Sequence, residues 1–450
     1  MLGALKYYLR LVLIPVLLAI SIVTVFLTVF KDVTWGFYLL TSLLPQPNVK
    51  YQFHEYPLGK DIYDIFVFAI LLGIAFQNKK FVKSQNTWLI VLIVLFSYFA
   101  LWNSSSRFSL PWPITRANEL LPEWKNYAEM ILLYFLALNV LRKEDQQKKV
   151  VVLMSIVVLL ISIRSYRNFS GGAAFNWDKR VGGPFEAAGL GANHFGAFIA
   201  DYCSVFLGLY FFDKDRKRRI LFLVTALFGL HPLFYSYSRG AYLAVVAVIG
   251  FFGVLKKRSM LVLVAVLLVA WHTILPASVV DRIRMTENES GQLENSAGGR
   301  LDLWKIAVDK FNESPLYGIG FGGYSLSVGG IMLSNGETVP TGFDTHNFWM
   351  KTLCEQGIIG ASLLALILLK SFLSGWKLYK SSETDFFRGL GFGFMGCVIA
   401  IAITNLFGDR FSYFELGGYF WILWGLIDSN LHVAKDKLPG DILVPGNGTA

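Results

Sequence analysis

Apolar residues in this chain are grouped into long blocks separated by short polar connections. Runs of roughly twenty predominantly apolar residues recur from end to end, the length that crosses a hydrocarbon core about 30 Å thick. They predict membrane-spanning helices at residues 11–30, 61–77, 87–102, 125–141, 150–166, 189–211, 219–236, 239–255, 259–275, 346–371, 385–406 and 412–430. Trp35–Leu44 is apolar but too short to cross, so it is placed at the membrane interface. Were it to cross, every later segment would change sides. The fold class expected is all-α: a polytopic bundle of about twelve spans.

Basic residues orient the bundle. Lys79, Lys80 and Lys83, then Arg142–Lys149, Lys214–Arg219, Lys256–Arg258, and Lys377, Lys380 and Arg388 fall on alternate short connections. The excess of Lys and Arg on cytoplasmic loops places these connections and both termini inside. The outward loops are then 31–60, 103–124, 167–188, 237–238, 276–345 and 407–411. The chain divides into spans one to nine (1–275), a long external loop (276–345), spans ten to twelve (346–430) and a cytoplasmic tail (431–450).

Composition agrees. Hydrophobic residues make up 54% and charged residues only 16%, against about 25% charged in soluble domains. The formal net charge of +10 is accounted for by inner loops and anionic headgroups; no basic, aromatic platform for nucleic acid is visible. Cys203, Cys354 and Cys397 lie in apolar segments and read as core residues. Lys6 and Arg10 precede the first apolar run with no small-residue cleavage site after it, which predicts a retained span.

The long outward loop carries most of the candidate chemistry. Leu301, Trp304, Ala307, Val308 and Phe311 fall at helical spacing among Asp302, Lys305, Asp309 and Lys310. This predicts an amphipathic helix lying on the membrane or on the spans, ended by Pro315, with Arg300 at its start. Gly318–Gly323 resembles a dinucleotide fingerprint only in text, because no βαβ unit surrounds it. A tight turn, where backbone approaches another segment, is expected instead. His346 stands at the mouth of the tenth span, where a neutral imidazole could take a proton from a hydroxyl. The competing reading is a span-capping histidine bonded to Asp344 or a carbonyl. His54, His194, His231, His272 and His432 have no companion motif, and no metal-ligand spacing or GxSxG elbow occurs. No metal or cofactor is expected.

Arginines are frequent at the outward ends: Arg107, Arg116, Arg164, Arg167, Arg180, Arg239, Arg282, Arg284, Arg300 and Arg410. The planar guanidinium fork matches phosphate, so a converging set would suit an anionic, phosphorylated ligand. Snorkelling to headgroups is the alternative for any one of them. The sharper reading falls on Arg180, Arg239 and Arg300.

These motifs, in order, resemble the O-antigen ligase/polymerase family. They are Arg180 with the glycine-rich run to Asn193, Ser238-Arg239-Gly240-Ala241, Gly299-Arg300-Leu-Asp-Leu-Trp304, Pro315-Leu-Tyr-Gly318-Ile-Gly320, and His346-Asn347 followed by Glu355-Gln-Gly357-Ile-Ile-Gly360. The likeness covers roughly 180–365. One departure is Ala192 before Asn193, where the family often has proline. The resemblance implies a GT-C-like glycosyltransferase in the bacterial cytoplasmic (inner) membrane, its active site facing the periplasm. Its donor would be an undecaprenyl-diphosphate-linked glycan and its acceptor a hydroxyl of lipid A–core or of another glycan. It assigns Arg180, Arg239 and Arg300 to the diphosphate and His346 to the base, with Asn193, Asp344 and Asn347 supporting. Membrane lipids are the other expected partners, and nucleic acid is not. Base and clamp on opposite sides of the anomeric carbon would favour inversion. Ligase is the first reading; repeat-unit polymerase, protein O-glycan ligase and a twelve-span anion transporter are the alternatives. No internal repeat supports transport.

Overall fold

The structure is a computed structural model that describes residues 2–47, 62–172, 174–285, 295–333, 338–340 and 342–436. His54 and the tail beyond 436 lie outside these. Helices α1 (Leu2–Phe30), α2 (Thr34–Leu43), α3 (Ile62–Phe76), α4 (Thr87–Arg107), α5 (Leu121–Val140) and α6 (Glu144–Asn168) come first. Two short 3-10 turns, Trp177–Lys179 and Gly183–Ala188, lead into α7 (Ala192–Phe212), α8 (Arg216–Tyr235), α9 (Arg239–Leu255) and α10 (Ser259–Ile274). The long loop contributes α11 (Ala277–Arg284), α12 (Asn295–Glu313) and α13 (Gly323–Ser327). The chain closes with α14 (Phe348–Ser381), α15 (Asp385–Thr404) and α16 (Phe414–Asp436). Among the described residues there is no strand, only a single bridge between Met332 and Thr338.

Each apolar block predicted as a span is helical. Among the described residues six helices, α4, α6, α7, α8, α14 and α15, are long and apolar enough to cross a bilayer, and a seventh span results if α10 and α11, bent by 104°, are taken together. The last helix runs on to Asp436, past the expected end at 430.

The bundle centre is α7 and α15, whose apolar windows are 72% and 78% buried, against 28% for peripheral α8. Their crossing needs bare backbone. A Cβ on Gly208 would lie 2.3 Å from Gly393 Cα, and one on Gly393 would lie 2.5 Å from Val205 O. Small residues permit the close helix approach on which packing depends where lipid supplies no hydrophobic drive. α2 packs against α1, α3 and α6: Phe37, Leu40 and Leu44 are fully buried, while Trp35 is 47% exposed.

At one end of the bundle Asp428 ties four elements together. Tyr134 Oη and Asn86 Nδ2 donate to its Oδ2 at 2.5 and 2.8 Å, and Ser374 Oγ donates to its Oδ1 at 2.8 Å. The motif residues gather at the opposite end.

Candidate active site

A break in a helix builds the scaffold. Gly357 adopts φ +63°, ψ −165° inside α14, so the carbonyls of Cys354 and Glu355 lose their helical partners. Ile319 N and Gly320 N donate to them at 3.0 and 2.9 Å, while Ile358 N donates to Pro315 O at 2.9 Å. The glycine ribbon thus threads the break, and Phe321 N bonds Ala100 O of α4 on its other side at 3.0 Å. Gly318 and Gly320 have φ of +71° and +102°, and Cβ atoms there would fall 2.3 Å from Glu355 C and Ser104 N. The expected turn of close backbone approach is this ribbon, and Glu355-Gln-Gly357 is its receiver.

The ribbon positions α12, which packs through Leu303 and Ala307 (3% and 1% exposed) onto Ile319, Tyr324 and Cys354. Here the structure corrects the expected stripe, because Leu301 and Val308 are exposed. Position i, i+4 on the buried face belongs to Leu303 and Ala307, with Trp304 beside them. Trp304 Nε1 donates to Thr345 O at 3.1 Å. One turn before Trp304 on α12 stands Arg300, so Gly-Arg-x-x-x-Trp fixes an arginine and the histidine loop together.

His346 follows Thr345 with φ +52°, in left-handed backbone that a side chain seldom adopts. Thr345 Oγ1 holds that turn, accepting from Asn347 N at 3.1 Å and donating to Asn347 O at 2.8 Å. Asn347 caps α14: its Oδ1 accepts from Trp349 N and Met350 N at 3.0 and 3.2 Å. Asp344 turns away, accepting from Thr345 N at 2.8 Å and lying 3.9 Å from Lys351. Burial, partly opposed by Lys351, keeps its carboxyl above the ordinary value. Neither the Asp344 bond nor the carbonyl bond of the capping reading forms; the His346 ring packs edge-on against Phe343 at 5.3 Å. Burial, then the charges of Arg300 and Arg410, push the imidazole down to about 4, with Asp409 opposing. It is neutral at pH 7.

The three predicted arginines converge. Arg180 Nε and Nη2 donate to Ser236 O at 3.0 and 2.7 Å, and Nη2 donates to Asn193 Oδ1 at 2.7 Å. Asn193 is therefore a clasp for Arg180, and among the described residues no hydrogen bond occupies Nη1. Burial, then the charges of Arg282, Arg300 and Arg239, lower Arg180 to about 10, with Tyr242 opposing. Arg239 opens α9, where a Cβ on Gly240 would lie 2.8 Å from the Phe407 ring. That close approach brings Ser-Arg-Gly against the loop carrying Arg410.

Two further arginines complete the cluster. The bend at Leu275-Pro276 folds α11 back so that Arg282, 5% exposed, sits over Trp177 at 4.4 Å, with Arg180 over the same ring at 5.4 Å. Arg410, 3% exposed, donates to the carbonyls of Thr404 and Phe407, and Asn405 Oδ1 accepts its backbone N–H at 3.0 Å. Burial lowers Arg410 to about 10; Asp201 and Asp409 oppose the fall, and Arg300 and Arg180 add to it. Sequence spacing singled out neither. The available signals were Pro276 closing an apolar run and the Asp409-Arg410 pair in a short loop between two spans. Like-charged guanidinium groups held this close repel one another, and an anionic ligand would relieve that repulsion. No group of three metal-ligating side chains occurs among the described residues.

Comparison with known proteins agrees with the motifs: residues 221–365 match the family model described as O-antigen ligase. The chain carries an O-antigen ligase family segment. That segment includes Arg239, Arg282, Arg300, Trp304, His346 and Glu355, while Arg180 and Arg410 join it through the fold. Among curated proteins, the chain is 22% identical over 183 residues to an uncharacterized protein of Haemophilus influenzae, covering 37% of this chain and 46% of that one. It is 27% identical over 100 residues to the exopolysaccharide production protein ExoQ of Rhizobium meliloti, covering 20% of this chain and 22% of that one. The matches thus span less than half the length of either relative.

Proposed function

We propose that this protein is a membrane glycosyltransferase. It moves a glycan from undecaprenyl diphosphate to an acceptor hydroxyl at the outer face of the bacterial cytoplasmic membrane, with all twelve apolar helices crossing. The observation that carries this reading is the gathering of Arg239, Arg282 and Arg300 about Arg180, with Arg300 and Arg410 beside a neutral His346.

Breaking the sugar–phosphate bond places growing negative charge on the departing diphosphate. Arginines fixed beforehand stabilise that charge without reorganising. The acceptor hydroxyl attacks the anomeric carbon as His346 takes its proton. The diphosphate leaves with the bonding electrons, and the sugar–oxygen bond replaces the sugar–phosphate bond. A base at 4 in the free protein is weak, but the arriving diphosphate offsets the charges of Arg300 and Arg410 that depress it. Donor binding therefore raises the basicity of His346 when it is needed.

Ligation to lipid A–core is the first reading. Similarity to ExoQ favours a second, polymerisation of carrier-linked repeats. Purified protein given undecaprenyl-diphosphate glycan and acceptor tests the chemistry: folded His346→Ala that transfers as well as the parent overturns the base assignment. A deletion strain separates the two readings. Loss of all polymer on lipid A–core, with long carrier-linked chains accumulating, marks a ligase; short single-repeat decoration marks a polymerase.

A further inference from the structure

Beside the arginine cluster lies a cavity of about 280 Å³, close to the lower end of small-molecule sites at roughly 300 Å³. It is large enough for a single sugar ring. The Gly183–Ala188 turn separates it from a second cavity, of about 320 Å³, on the Arg180 side. The two differ in charge balance: Arg164, Lys179 and Arg180 outnumber Asp178 and Glu186 on the second, whereas Glu123, Glu355 and Glu415 outnumber Lys351 on the first.

Among the described residues, Lys351 is the only basic side chain lining the smaller cavity. Its ammonium is matched by Asp409 at 2.7 Å and faces Asp344 at 3.9 Å. Carboxyl groups therefore outnumber ammonium groups on this wall by three to one. Tyr127, Phe321 and Tyr413 supply aromatic faces, and Tyr413 meets the His194 ring edge-on at 5.5 Å. Ser412, also on the wall, donates to Asp409 Oδ1 at 2.5 Å, and Asp409 is one of the charges felt by His346. The cavity thus adjoins the proposed base across Asp409.

We infer that this cavity seats the acceptor sugar and admits neutral or amino sugars while rejecting acidic ones. The inference rests on the glycosyl-transfer reading above. Carboxylates accept hydrogen bonds from sugar hydroxyls or ammonium groups, and aromatic rings cover the apolar face of a pyranose. The same carboxyl-rich wall repels uronate and phosphate, which keeps the donor diphosphate on the arginine side. Different charge balance in adjoining cavities sorts two sugar-bearing substrates that otherwise look alike.

The test is direct binding to the full-length protein in lipid nanodiscs, read by saturation-transfer NMR, with chitobiose (neutral), glucosamine disaccharide (cationic) and digalacturonate (anionic) as probes. Chitobiose and glucosamine disaccharide are expected to bind, and digalacturonate about tenfold more weakly or not at all, because like charges meet. Glu123→Lys, at an exposed wall position, should remove the preference for the cationic probe and leave chitobiose bound. Arg239→Lys, on the diphosphate side, should leave all three unchanged. Digalacturonate binding as well as chitobiose, an unaltered ranking in Glu123→Lys, or no binding of any probe to wild type overturns the inference. Loss of transfer with this ranking intact counts against the transfer reading alone.

Discussion

The two ends of the bundle hold polar clusters of opposite kinds. Around Asp428, every listener has a speaker: Tyr134, Asn86 and Ser374 all donate to one carboxylate, and Trp424 Nε1 donates to Ser374 Oγ at 3.1 Å. At the other end, arginines drawn from five separate places in the chain gather, and two of them, Arg300 and Arg410, lie beside a neutral histidine. Hydrogen bonds to carbonyls and to Asn193 fix Arg180 and Arg410 in place, and the charges of the group act on one another. A satisfied buried network holds elements in register, whereas a gathering of guanidinium groups suits an anionic ligand. The difference separates a structural cluster from a chemical one without reference to motifs.

His346→Ala should break the chemical end most severely. Loss of general-base catalysis costs about 10²–10⁴-fold, measured as kcat on donor and acceptor with the purified protein still folded. Arg239→Lys keeps charge but loses the fork. A fall in kcat/KM of roughly 10–100-fold is expected, the scale of one charge-assisted hydrogen bond at about 1.5–3 kcal/mol, and full activity would return Arg239 to a lipid-facing role. The structural end should respond in the opposite sense. Asp428→Ala strands buried donors at about 1–3 kcal/mol each, so thermal stability should fall while kcat holds; a collapse of kcat in folded protein would join the two ends.

Smaller effects sharpen the same contrast. Trp304→Phe removes one bond to Thr345 O, worth about 0.5–1.5 kcal/mol, and should lower kcat several-fold with KM unchanged. The pH profile tests His346 directly. Its imidazole is depressed to about 4 in the free protein, so kcat/KM should stay level as pH falls from 7 to 5 and drop only on approach to 4. The donor-bound profile, kcat, should lose activity at a higher pH, because the diphosphate offsets Arg300 and Arg410. Coincident acid limbs would remove the proposed tuning of the base.

Much of this was legible in the chain. Apolar blocks of membrane length carry their own helical signal, so each predicted span is a helix. His346 and the Arg-Gly motifs were visible as polar residues at block ends. What spacing misjudged were positions decided by neighbours. The face of α12 turned to Leu303 and Ala307 because Ile319, Tyr324 and Cys354 lie on that side. Spacing likewise does not show the contacts that α2 makes with α1, α3 and α6, or the approach of Asp344 to Lys351.

By itself the sequence determined that helices form, where glycine must stand, and which arginine and histidine types are available, since these depend on local composition and backbone freedom. The tertiary structure alone decided that Arg180, Arg239, Arg282, Arg300 and Arg410 meet. It also decided that a neutral imidazole lies beside Arg300 and Arg410, and that two cavities of different charge balance adjoin. Those are properties of charges brought together from distant parts of the chain, and Coulomb interaction depends on distance in space, which no spacing along the chain records.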